Sequence, residues 1–281
     1  MKRMLLVRVS AAFLALLGGF IAYTQNPPAA PQNTLQKVRD DLYLIQGDGG
    51  NVAIYLTNDG VILVDDQFER DYNDIIEKIK SLTDKPVKYV LNTHHHPDHS
   101  GSNEKLLITA EVIAHRNARA NMVANKMPGL PRLAFADEAE VYLGGKEVFM
   151  YHYGRGHTNG DAVVYFPALR ILHTGDLFTV APAFPPLIDY AGGGSAIEWT
   201  KTLDEIVKLD FDTVIPGHGP VSRKEDIVKY KALLESMRNK VRFMNHQHKS
   251  KEEIGKMLTS EFHWGDLQMQ RGLDGLIAEM R

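Results

Sequence analysis

The chain has no cysteine among its 281 residues. Disulfide staples, thiolate metal ligands, thiol nucleophiles and cysteine-linked lipid anchors are therefore excluded. It also lacks an excess of charge of one sign: 32 basic residues stand against 35 acidic ones, a net charge of −3. A nucleic-acid-binding surface needs a basic patch, so no nucleic-acid partner is expected. Long apolar runs are scarce as well. The one near the start, Val9 to Tyr23, follows Lys2 and Arg3 and falls short of the roughly 20 residues that span a bilayer. It fits the apolar core of a secretory signal with a small-x-small site at Ala22-Tyr23-Thr24. The alternative is an uncleaved anchor, which is the one route to a membrane. Residues 1–24 are thus expected to be a signal peptide and 25–36 an extended linker rich in proline. Residues 37–281 form one domain, large enough to bury a core without cross-links. The expected location is periplasmic or secreted.

What the chain does have is histidine packed into one place. His94-His95-His96-Pro97-Asp98-His99 puts four imidazoles and a carboxylate into six residues. The run Val87-Lys88-Tyr89-Val90-Leu91 before it reads as a buried strand, so the motif lies on the loop at the strand's end. A hydrophobic core gains little from such a cluster. Neutral imidazole nitrogen and carboxylate oxygen are good ligands for zinc and similar divalent cations. Alternate residues His94 and His96 can converge on one ion, leaving Asp98 and His99 for a second about 3.5–4 Å away. Further along come Gly156-His157-Thr158, His173-Thr174-Gly175-Asp176 and Pro216-Gly217-His218-Gly219. Each places a possible ligand where a strand-like run meets a loop, beside a glycine that lets backbone approach closely.

On these motifs the chain resembles the metallo-β-lactamase superfamily of metallohydrolases, over roughly residues 38–221. The resemblance implies an α/β fold, a four-layer αβ/βα sandwich with metals at one edge between two sheets. It also implies two metal positions. His94, His96 and His157 would hold the first, Asp98, His99 and His218 the second, and Asp176 would bridge them. Two Zn2+ are the expected cofactors, with iron or manganese also suited to a bridging carboxylate. Superfamily members with a thiolate ligand place it where this chain has Asp176, so those branches are excluded. The implied activity is hydrolysis of a small-molecule substrate. Two cations make a water nucleophilic near neutral pH, and it attacks a lactam- or ester-type carbonyl. Asp98 would orient that water or carry a proton. β-Lactamase-like hydrolysis is the first reading, with a lactonase or thioesterase as the alternative. From another class come a di-iron redox protein and a non-catalytic metal-binding protein. The residues after His218 are too few and too helical for the flavodoxin domain that di-iron redox members carry.

Apolar periodicity predicts strands at 41–46, 51–56 and 60–65, then a helix over 69–82 with Tyr72, Ile75, Ile76 and Ile79 on one face. A helix near 102–109, a strand at 111–114 and a helix over 115–126 follow. Strands are expected at 140–143 and 146–153, and helices over 196–209, 224–243 and, more briefly, 254–258. Two groups of strands, each covered by helices, read as a sandwich. Asp65 and His173 are expected to support the ligands from behind, and Asp66 to be exposed. Ser195 with Glu198 three residues on reads as a capping box and not as a nucleophile. His115, His152, His246, His248 and His263 lack ligand spacing and read as surface or helix residues. Phe178, Phe184 and Tyr190, in the segment leaving Asp176, are the expected apolar wall of a substrate pocket.

Overall fold

The computed structural model describes residues 33–281. The expected signal peptide and most of the expected linker lie outside the described residues.

Two sheets face each other. The first carries β1 (Thr34–Arg39), β2 (Leu42–Gln46), β3 (Val52–Leu56), β4 (Val61–Val64), β5 (Val87–Asn92), β6 (Glu111–His115) and β7 (Leu133–Phe135) in that spatial order. The second carries β8 (Glu138–Leu143), β9 (Lys146–Tyr151), β10 (Val163–Phe166), β11 (Ile171–His173), β12 (Thr213–Ile215) and β13 (Ser222–Arg223), again in chain order. Helices α1 (Tyr72–Leu82), α2 (Pro97–Ser100), α3 (Asn103–Leu106) and α4 (Arg116–Ala124) interleave with the first set of strands. Helices α5 (Ala196–Ile206), α6 (Lys224–His246), α7 (Lys251–Phe262) and α8 (Asp266–Glu279) belong to the second half.

The two-residue side-chain period of a strand accounts for the layering. On β2, β3 and β4, Leu44, Tyr55, Ile62 and Val64 face the other sheet, where they meet Val148, Met150, Val164 and Phe166. Their neighbours Ile45, Ile54, Val61 and Leu63 point the opposite way, onto Ile75 and Ile79 of α1. The second sheet does the same: Val163, Leu172 and Val214 turn outward onto Trp199, Leu203 and Leu234 of α5 and α6. The result is helices, sheet, sheet, helices, the four-layer sandwich that the resemblance implied.

Three differences from the sequence reading have physical causes. The first sheet starts at Thr34, inside the stretch read as linker, because β1 pairs antiparallel with β2 despite its polar sequence. The third helix of the second half runs the full length Lys251–Phe262, opened by Ser250 and Glu253 in a reciprocal cap. Helix α8 was not foreseen at all. Gly272 and Gly275 weaken its helical propensity, yet its packing requires them. A Cβ on Gly275 would lie 2.2 Å from the Tyr190 ring, and one on Gly272 would lie 3.0 Å from Trp264.

Ser195 caps α5, accepting from the Glu198 N–H at 3.1 Å. The other half of the expected box is replaced. The Ser195 N–H donates to the Gly156 carbonyl at 2.9 Å, Glu198 pairs with Arg155 at 2.9 Å, and Glu279 of α8 takes the Ser195 hydroxyl and the Ala196 N–H.

Candidate metal centre

The ligands leave the C-terminal ends of strands that pair in parallel, β4 with β5 and β11 with β12. That is where α/β sheets place their sites. Asn92 ends β5, and the His94–His99 loop follows at once. His173 ends β11, three residues before Asp176, and Ile215 ends β12, three before His218. His157 comes from the loop between β9 and β10.

Three close-set groups of potential ligands occur among the described residues: His94, His96, His157 and Asp176; Asp98, His99 and His218; and, on the outer side of His96, His95, His96 and Asp189. Within the first, His96 Nδ1 lies 3.1 Å from His94 Nε2 and 2.8 Å from His157 Nε2. Within the second, His218 Nε2 lies 3.1 Å from Asp98 Oδ2 and 3.3 Å from His99 Nε2. Asp176 joins them, with Oδ2 3.5 Å from His157 Nε2 and Oδ1 3.3 Å from His99 Nε2. Gly217 has to be glycine here, since a Cβ would sit 2.0 Å from Asp176 Oδ1.

The far side of each imidazole decides what the near side offers. His94 Nδ1 meets Thr93 Oγ1 at 3.1 Å, and that hydroxyl already donates to Asp65. His157 Nδ1 donates to the Leu187 carbonyl at 2.6 Å, and His96 Nε2 to Asp189 Oδ2 at 2.8 Å. His99 Nδ1 donates to Asp65 Oδ2 at 2.8 Å. Each outer nitrogen therefore carries the proton, and each inner one presents a lone pair. Three lone pairs aimed at one point repel each other unless a cation sits between them. Asp176 Oδ1, buried and without a hydrogen bond, adds an anionic oxygen to the same place. The residues fit a divalent cation bound by nitrogen and oxygen.

Electrostatics agree. Burial, reinforced by the neighbouring imidazoles, drives His94 well below its ordinary range. Burial also takes His157 down to about 4, against the pull of Asp176. Both stay in the neutral, coordinating form. Burial disfavours the charged forms of Asp176 and Asp98, but His218 and His99 outweigh it and hold both carboxyls below their usual range. His99 runs the other way: burial would lower it, yet Asp176, Asp98 and Asp65 lift it well above normal, so the carboxylates favour positive charge at this point, carried by a proton on His99 or by a cation bound in its place.

Asp65 lies fully buried behind the His94–His99 loop, and it touches more than one ring. Its Oδ1 takes the Thr93 N–H at 2.7 Å while Oδ2 holds His99, so one carboxylate pins both ends of the histidine loop. His173 acts at one remove. Its Nε2 donates to the Asn51 carbonyl at 3.1 Å and its Nδ1 accepts from the Gly175 N–H. Asn51 in turn donates to the carbonyls of Pro216 and Gly219 on either side of His218. Sequence reasoning missed Asn51 and Asp189, since neither stands in a motif and their contacts span 165 and 93 positions. Asp66 is wholly buried, not exposed: it accepts the Ser102 N–H at 2.8 Å, and burial pushes its carboxyl well up. His115 is buried too and stacks on half-buried His152 at 3.8 Å, so neither is a surface residue. His246, His248 and His263 are exposed.

A cavity of about 410 Å³ opens onto His96, Asp98, His157, Asp176 and His218. Phe184 lies over it, stacked on the His218 ring at 5.2 Å. Phe178 and Tyr190 do not line it. Phe178 packs edge-on against Tyr230 at 5.3 Å, and Tyr190 lies under α8 with its hydroxyl on Glu279 at 2.6 Å. The remaining wall comes from Phe68, Pro185 and Leu187, and from Leu267, Gln268 and Arg271 on α8.

The family model for the metallo-beta-lactamase superfamily matches residues 45–218, more than half of the chain and every converging ligand. The chain belongs to the metallo-beta-lactamase superfamily. Among relatives of this superfamily member is the 2,4-dinitroanisole O-demethylase subunit alpha of Nocardioides sp. (strain JS1661), 28% identical over 211 residues. That alignment covers 69% of this chain and 60% of the relative, so the chain spans well under two thirds of that protein. Metallo-beta-lactamase IND-1 of Chryseobacterium indologenes is 28% identical over 172 residues, 60% of this chain and 71% of the relative. The solved metallo-beta-lactamase from Pontibacter korlensis superposes with a TM-score of 0.66 at 23% identity, covering 73% of this chain and 99% of that one. Helices α6, α7 and α8 of this superfamily member lie beyond the matched region.

Proposed function

We propose that this superfamily metallohydrolase binds two divalent cations, zinc first among them, and hydrolyses a lactam- or ester-type bond in a small molecule. The observation that carries the reading is the three inward lone pairs of His94, His96 and His157 set beside a second trio of Asp98, His99 and His218, with Asp176 between. His94, His96 and His157 would hold one cation and Asp98, His99 and His218 the other. Bound there, the cations supply Lewis acidity to a carbonyl oxygen and lower the pKa of water. The protein's own groups do the rest. Asp65, Asp189, Thr93 and the Leu187 carbonyl keep the imidazoles in the coordinating tautomer. Asp98, partly open to the cavity, is placed to accept a proton at Oδ2 and return it to a leaving group. Phe68, Phe184 and Leu267 exclude water from the bond being cleaved and favour an apolar body. Ser195 is committed to α5 and Glu279, so no serine nucleophile is part of the reading.

The test is elemental analysis of metal-replete protein together with a hydrolysis screen of lactams, lactones, thioesters and aryl esters. About two ions per chain and turnover of at least one class is the expected result. One ion or fewer removes the binuclear site, and no turnover removes the hydrolase.

A second reading is favoured by the relative named for 2,4-dinitroanisole, a methyl ether on an electron-poor ring. With Phe68 and Phe184 flanking the cavity, an activated aryl ether belongs in the same screen. We also propose export, on the basic start and the apolar run Val9–Tyr23. A purified native protein beginning at Met1 would contradict cleavage of that segment.

A further inference from the structure

The guanidinium of Arg271 stands at the rim of the metal cavity with nothing to hold. Its Nη1 lies 3.2 Å from His96 Nε2, but that nitrogen donates its proton to Asp189 and offers no lone pair. Among the described residues lining the cavity, the one acid outside the ligand set is Asp48, and it is already paired with Arg70. No carboxylate of a described residue pairs with Arg271, and Arg271 is the one Lys or Arg among those lining residues. Its planar N–H fork, exposed at the rim, is therefore free to meet what enters. It stands one imidazole ring from a candidate ligand nitrogen, beside the apolar side chains of Phe68, Phe184, Leu187 and Leu267 and the polar ones of Thr179 and Gln268. A permanently charged, unpaired fork at such a place matches a carboxylate, which it grips through two parallel hydrogen bonds.

We propose that Arg271 anchors a carboxylate of the substrate, so that the molecule cleaved is a small organic acid. Its apolar body lies along Phe68 and Phe184, its carboxylate sits on the guanidinium, and the bond to be hydrolysed is a few atoms away over the ligands. The location of that bond rests on the hydrolase reading; the anion site does not. The specificity residue comes from α8, outside the segment leaving Asp176 that carries Phe178, Phe184 and Tyr190, and beyond the part of the chain matched by the family model.

Two measurements on metal-replete protein test this. Calorimetry compares 3-phenylpropanoate with its uncharged amide. Kinetics compares mono-4-nitrophenyl succinate with 4-nitrophenyl butyrate. In Arg271→Ala the Kd of 3-phenylpropanoate should rise about tenfold to a hundredfold, with part regained in Arg271→Lys and the metal count unchanged. The preference in kcat/KM for the charged ester over the neutral one should fall by a similar factor. An unchanged Kd in Arg271→Ala overturns the anchor, as does an equal loss on both esters, which would mark Arg271 as structural. A wild-type protein that cleaves neither ester counts against the hydrolase reading for esters, and the calorimetry still decides Arg271.

Discussion

At the scale of single residues, the candidate centre is held in shape by groups that do not converge on it. Asp189 illustrates this. Its Oδ2 holds His96 Nε2, and its Oδ1 takes the Gly192 N–H at 3.1 Å, so carboxylate, ring and loop are fixed together. The carboxyl is kept ionised because His96 outweighs burial. Asp189→Ala should leave the fold intact and weaken metal binding about 10–100-fold, the usual cost of losing such a partner. Competition with a chromogenic chelator measures it, and wild-type affinity in the variant would show that His96 needs no such support. On the proposed function Asp176 is itself a ligand, so Asp176→Ala should leave fewer than two ions per chain on elemental analysis. The seven converging groups were legible because their chemistry is concentrated in motifs at strand ends. Asp189 and Asn51 were not, because a lone polar residue in a loop has no period or spacing to betray a partner 93 or 165 positions away.

Among the elements, the strands were the most readable and the last helix the least. Buried strands such as β3 and β4 are almost wholly apolar, so their existence and order followed from the sequence. In α8 two glycines interrupt the apolar pattern, and only the folded chain explains them. Gly275 gives the experiment. An alanine there should favour an isolated helix by up to about 1 kcal/mol. In the folded protein its Cβ would be 2.2 Å from the Tyr190 ring, so tertiary packing should win and the protein should lose about 1–3 kcal/mol. For a domain of this size that is a fall of roughly 2–10 °C in Tm. A raised Tm would mean that α8 is not seated on Tyr190.

For the molecule as a whole, the seam between the sheets carries a pH dependence separate from the metals. His115, at the end of β6, stacks on His152, just beyond β9. Burial, aided by His152, takes His115 down to about 4, and burial lowers His152 as well. The unfolded chain takes up protons on both rings near pH 6.5, while in the folded chain His115 refuses its proton until about 4 and His152 takes one only at a lowered pH, so stability is full above 6.5 and falls as pH drops below it. Each such site contributes up to about 1.4 kcal/mol per pH unit. Urea unfolding at pH 7 and pH 5 should therefore show a smaller loss in His115→Phe, which keeps an aromatic stack without the titration. Equal losses would exclude the pair as a source.

The seating of α8 has one more consequence. Its glycine and its Glu279 grip Tyr190, the residue after Asp189, and the same loop supplies the Leu187 carbonyl to His157. On the proposed function, metal occupancy and docking of the C-terminal helix should be linked equilibria, with the coupling equal in both directions. The tail becomes a gauge of the centre: stripping the metals should speed amide exchange in residues 266–279 while leaving α1 on the opposite face unchanged, and a break in the chain after Trp264 should release metal without touching a single ligand.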